Sequence, residues 1–206
     1  MIKLKETDDI WFTSDPHVSH NNMCRGVSVW TNLESTRDFP TVHDMNKMIT
    51  ANINKCASKT SHLFLLGDLM FGDKHYDRFF DLIDCENIYV IYGNHDNINL
   101  LKECTHPKLK FQGYYEKLMV GKKEIILSHY PIFSWENSQR GSWMLFGHCH
   151  NTLKDLTYLK RRCFDVGIDW AEFRPYNYFE IKEIMRLKEI LVVDHHDPND
   201  NGHTNQ

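Results

Sequence analysis

The sequence predicts an α/β domain with mixed β-sheets, and three observations carry that expectation. Apolar runs rich in β-branched and aromatic residues recur at residues 10–14, 62–66 and 88–92, the mark of buried strands. Segments with helical spacing separate them. Two further runs, 114–120 and 124–127, flank Gly121-Lys122. That pattern is a hairpin, so the sheet is not purely parallel.

In chain order, the first strand stops at Asp15-Pro16. Residues 21–40 show no clean periodicity and are punctuated by Gly26 and Pro40. They are expected to form a long loop or lid. Thr41 reads as a helix N-cap with Asp44 three residues on. Val42, Met45, Met48, Ile49, Ile53 and Cys56 follow at helical spacing. The second strand ends at Gly67-Asp68, and a helix is predicted over 76–83. The third strand ends at Gly93-Asn94-His95-Asp96, and a short helix is predicted over 99–103. After the hairpin, Trp143-Met144-Leu145-Phe146 forms a strand ending at Gly147-His148. Residues 156–159 and 163–166 are expected to pair as late strands, and 178–188 to form a helix. Residues 1–193 thus make one domain. Residues 194–206 carry none of the usual core side chains and are expected to be a disordered polar tail.

Of the 206 residues, 41% are hydrophobic and 25% charged, proportions that suffice for a packed core. The formal charge of -4 leaves no polybasic footprint for tight nucleic-acid binding. A nucleic-acid substrate stays open, because bound metals would add local positive charge. No run of about 18 apolar residues predicts a membrane span, and the first residues lack the apolar stretch of a secretory signal. The six cysteines are scattered without a C-x-x-C pair, so a reduced, cytoplasmic setting is expected.

Polar residues just past the predicted strands carry the chemistry: Asp15 and His17, Asp68, Asn94 with His95 and Asp96, His129, then His148 and His150. Residues i and i+2 on a strand share a face, which would bring Asp15 to His17 and His148 to His150. Asp15, His17, Asp68, Asn94, His129, His148 and His150 offer seven N/O ligands, too many for one ion and suited to two. Two ions ~3.5–4 Å apart form the clamp used to hydrolyse phosphate esters. Asp68, with two oxygens, is the natural bridge. Taken singly, each position reads as an ordinary polar residue at a loop start. Taken together, so many unpaired imidazoles and carboxylates would be costly without a metal.

The blocks Asp15-Pro16-His17, Gly67-Asp68, Gly93-Asn94-His95-Asp96, Ser128-His129 and Gly147-His148-Cys149-His150 resemble, in order, those of the calcineurin-like metallophosphoesterase superfamily. Residues 12–22 and Asp165-Val166-Gly167-Ile168-Asp169 with Arg174-Pro175 resemble its small single-domain bacterial and phage members. The resemblance implies a four-layer α/β/β/α sandwich and two divalent transition-metal ions, manganese foremost, with Fe, Zn, Ni or Co as alternatives. It places one ion at Asp15, His17, Asp68 and His150, and the other at Asp68, Asn94, His129 and His148. His95 stands at the family's general-acid position, with Asp96 orienting it. The implied reaction is hydrolysis of a phosphomonoester or phosphodiester by a metal-bound hydroxide, His95 protonating the leaving group. A nucleotide or a nucleic-acid end would suit a site with one lid. The alternatives are a metal-dependent nuclease and an inactive protein-binding scaffold on the same fold.

His20 and Arg25 are candidate substrate contacts, His20 from the family position and Arg25 because an arginine can clamp phosphate. Trp30 reads as lid packing and Cys149 as a core cysteine between two ligands.

Overall fold

The computed structural model describes residues 1–72 and 75–192; the tail predicted at 194–206 lies outside them. The elements run β1 (Ile2–Leu4), β2 (Ile10–Thr13), α1 (Val42–Cys56), β3 (His62–Leu65), α2 (Tyr76–Asp81), β4 (Asn87–Ile91), α3 (Ile98–Glu103) and β5 (Leu109–Gly113). They continue with β6 (Tyr115–Val120), β7 (Lys123–Ser128), β8 (Trp143–Phe146), α4 (Leu156–Lys160), β9 (Cys163–Asp165), β10 (Tyr176–Asn177) and α5 (Tyr178–Arg186).

Two five-stranded sheets result, ordered β10-β2-β3-β4-β5 and β1-β6-β7-β8-β9. The first is parallel except for β10, which runs against β2. The second holds the predicted hairpin, β6 antiparallel to β7, among otherwise parallel pairs. Both sheets are therefore mixed, as expected.

Side-chain alternation sorts the layers. In β3, Leu63 and Leu65 pack with Met45, Ile49 and Ile53 of α1 and Phe79 and Phe80 of α2. Phe64 points the other way, into a core shared with Ile125, Leu127 and Leu145 of the second sheet. In β8, Trp143 and Leu145 face that inner core, while Met144 and Phe146 face outward onto Trp135 and Tyr158. Helices, sheet, sheet and an outer layer around α4 make the four layers. Each fully buried Leu or Ile side chain here contributes about 1.5–3 kcal/mol.

The N-cap of α1 is Thr41, whose side chain accepts from the Asp44 N–H. Residues 156–159 are not a strand. Asp155 caps them into α4 by accepting from Tyr158 N–H, and β9 pairs with β8 instead. The sequence reading missed β1 and β5, which are edge strands with only half-buried faces. Paired on one side alone, they need no long apolar run. Among the described residues no helix is long and apolar enough to cross a membrane.

Candidate metal centre

Asp15, His17, Asp68, His148 and His150 all lie beyond their strands with φ between 46° and 66°. This corrects the expectation that strand alternation pairs them. Left-handed turns do so, in a conformation that costs non-glycine residues of order 1–3 kcal/mol each. Backbone bonds hold these turns together: Asp15 N–H donates to Gly67 O at 3.0 Å, and His17 N–H to Asp68 O at 3.0 Å. His148 N–H donates to Asp15 Oδ2 at 2.9 Å. Gly93 does not take a left-handed φ, so glycine is needed there for space rather than for the turn. A Cβ there would collide with Asp68, and one at Gly147 with Ser14 and Asp15. Glycine lets the strand ends converge.

Two groups of ligand atoms result, Asp15, His17 and His150 in one and Asp68, His129 and His148 in the other. In the first, His17 Nε2 and His150 Nε2 are 3.2 Å apart, and each is 3.8–3.9 Å from Asp15 Oδ1. In the second, Asn94 Oδ1 lies 2.9 Å from both His129 Nε2 and His148 Nδ1. Asp68 Oδ2 sits between the groups, 3.7 Å from His17 Nε2 and 3.5 Å from His129 Nε2. Ligands at about 2.1 Å from a tetrahedral ion would be about 3.4 Å apart, so the spacing fits.

The donor chemistry fits as well. His129 Nδ1 donates to the Leu66 carbonyl at 2.8 Å, so in the neutral ring Nε2 turns its lone pair toward the oxygens of Asp68 and Asn94. Asp15 Oδ1 is buried and accepts no hydrogen bond among the described residues. Acceptors facing acceptors in a buried site call for a cation. Burial pushes the Asp15 carboxyl up to about 6, against the pull of His150 and His129. Burial, then Arg37 and His150, drives His17 down to about 2, so its ring is neutral and ready to ligate. Burial lowers His129 and His150, but Asp68 and Asp15 outweigh it at His129, and Asp169 and Asp15 at His150, so both end raised. At Asp68 burial pushes upward, yet His129, the His95 N–H and His17 hold the carboxyl down at about 2.

A metal ion held by these residues would therefore have to displace protons from Asp15, His129 and His150. Calorimetric metal titrations in buffers of different ionisation enthalpy are expected to show more protons released, and weaker binding, at pH 5.5 than at pH 8. Affinity independent of pH would rule out these residues as ligands.

The model of the calcineurin-like phosphoesterase family matches residues 9–206. The chain belongs to this family. An uncharacterised protein of Methanocaldococcus jannaschii is 25% identical over 187 residues, covering 88% of this chain and 94% of the relative. A solved structure from Aquifex aeolicus, described as a protein of unknown function, aligns with a TM-score of 0.64 at 20% identity. It covers 86% of this chain and all of the other, and shows the same fold.

In this phosphoesterase, His95 is exposed beside the ligand groups. Its N–H donates to Asp68 Oδ1 at 2.8 Å, and its ring centroid is 5.5 Å from that of His17. Asp96, expected to aim His95, accepts from the N–H groups of Gly93, Asp68 and Leu69 at 2.9–3.0 Å and from the Tyr76 hydroxyl at 3.4 Å. The work it is seen to do is to clamp the Asp68 and Gly93 turns together. His20 is buried, stacked on Phe71 at 3.9 Å and edge-on to His17 and Trp30. Arg25 bonds Thr36 and Asp38 of its own loop, so its guanidinium braces that loop.

Two further residues, to which the sequence reading gave no role at the site, are Asp169 and Arg37. His150 Nδ1 donates to Asp169 Oδ2 at 2.6 Å, which turns Nε2 toward Asp15 and His17. Arg37, buried, grips both Asp169 oxygens and donates to the carbonyls of Asp15 and Pro16. Asp165 accepts from Asn151 N–H and Gly167 N–H, fixing the turn after His150. The base of the 21–40 loop is thus pinned to the turns that carry the candidate ligands.

Proposed function

We propose that this phosphoesterase hydrolyses a phosphomonoester or phosphodiester at a two-ion centre, with His95 as general acid. The single observation that supports it most is Asp68 Oδ2, poised 3.5 and 3.7 Å from one histidine of each ligand group. Two divalent cations held there, manganese foremost, supply Lewis acidity toward water and the phosphoryl oxygens. Asp15, His17 and His150 would hold one; Asn94, His129 and His148 the other; Asp68 would serve both.

The chain's own residues supply the rest. Asn94 offers an oxygen without negative charge, so the site keeps its attraction for an anionic ester. His95, fixed at its backbone to Asp68, delivers a proton to the departing alcohol oxygen. Asp96 keeps the two turns in register, and Asp169 holds the ring of His150.

The test is a substrate panel after reconstitution with Mn²⁺, Zn²⁺, Ni²⁺ or Fe²⁺: p-nitrophenyl phosphate, bis-p-nitrophenyl phosphate, 2′,3′- and 3′,5′-cyclic nucleotides, and DNA and RNA oligomers. Turnover of small esters is expected. Degradation confined to the oligomers would replace this reading with a nuclease. Two bound ions without turnover, or no bound ions, would leave a binding scaffold.

A further inference from the structure

Two cavities open from the candidate centre, and they share no lining residue. The ligands divide between them: Asn94 lines the smaller, of about 620 Å³, and His148 and His150 line the larger, of about 1320 Å³. A phosphate held at the centre therefore has room for an organic arm on each side. A monoester would fill one.

The arms meet different chemistry. The smaller cavity contains His95 together with Asn99, Lys102 and Tyr114, a polar wall suited to the alcohol that departs. The larger is walled by Met23, Trp30, Trp170 and Phe173. Trp170 is 73% exposed and Trp30 38%, so both present ring surface to whatever enters. Arg37 also lines this cavity, but its guanidinium is committed to Asp169 and to the carbonyls of Asp15 and Pro16. The chief offer of that wall is flat apolar surface, which stacks on a flat ring.

We propose that the substrate is a phosphodiester whose retained arm carries a flat aromatic ring, as a nucleoside does, seated in the cavity of Trp30, Trp170 and Phe173. The inference rests on the hydrolytic reading above and chooses the diester within it. Water adds its oxygen to phosphorus and the P–O bond on the His95 side breaks. The departing alcohol takes a proton, and a monoester bearing the aromatic arm remains.

Three esters with one leaving group test it: thymidine 5′-(p-nitrophenyl phosphate), methyl p-nitrophenyl phosphate and p-nitrophenyl phosphate. Because p-nitrophenolate needs no proton, only the retained arm differs. In the metal-loaded enzyme the nucleoside diester is expected to exceed the methyl diester in kcat/KM by about tenfold or more, and the monoester to trail both. Trp170→Ala, at an exposed position, and Trp30→Ala should each move the nucleoside-to-methyl ratio toward one. Calorimetry provides a second readout that needs no turnover. Thymidine 5′-monophosphate should bind at least about tenfold tighter than inorganic phosphate, and Trp170→Ala should remove the difference.

Equal kcat/KM on the two diesters with equal binding of nucleotide and phosphate would overturn the aromatic arm while leaving the hydrolase intact. A monoester hydrolysed faster than both diesters would overturn the diester. Tight, Trp170-dependent nucleotide binding without turnover would support the cavity assignment and sink only the hydrolytic reading.

Discussion

His95→Asn is expected to lower kcat on an alkyl phosphoester by about 10²–10⁴-fold, the range for loss of a general acid. On a p-nitrophenyl ester the same variant should lose no more than about tenfold, because that leaving group departs without a proton. The contrast follows from where the ring stands. His95 is exposed at the mouth of the smaller cavity and belongs to neither group of ligand atoms. Its backbone, not its imidazole, bonds Asp68. The variant should therefore keep its metal content, and elemental analysis alongside the rate measurements checks that the chemistry alone has changed. Equal losses on both esters would mean that His95 positions the phosphate rather than protonating the alcohol.

The features legible in the sequence were those that local chemistry writes into a short window. Residues 62–66 announce a strand by apolar content, Thr41 a helix start by its hydroxyl and Asp44, and the blocks after each strand a candidate ligand set by residue type. What stayed hidden is what the chain assembles across distance. Asp15 and His17 share a target because both sit in left-handed turns braced by the Asp68 strand end, and no periodicity reports that. Asp169 was visible only as part of a familiar late block. Its task appears when Arg37, 132 residues earlier, closes on it. An arginine in a loop reads as solvated, and nothing local to Arg37 says it is buried. The late helix α4 was a different kind of miss. Leu156-Thr157-Tyr158-Leu159 has strand-like composition, yet Asp155 in front of it is an N-cap, a start signal that the sequence itself carries.

Asp68→Asn should be the most damaging single change at the centre. The substitution keeps the side chain's shape and an oxygen for the His95 N–H, so the fold around Gly93 is expected to survive. It removes the negative charge from a side chain whose same oxygen faces both ligand groups. A neutral amide is a poor bridge between two dications. The variant is expected to retain at most one ion per chain, and to lose at least about 10³-fold in kcat/KM, on the basis of the several kcal/mol of charge stabilisation supplied by metal. Asp169→Asn tests the same centre from outside. It weakens the hold on His150 and on Arg37 but leaves every candidate ligand in place, so it should lower metal affinity by about 10–100-fold and restore much of its activity at higher metal concentration. That rescue separates the two residues: excess Mn²⁺ should recover Asp169→Asn and leave Asp68→Asn inactive. If Asp68→Asn instead bound two ions as tightly as the parent, the two groups would be independent sites, and Asp68 would serve one of them at most.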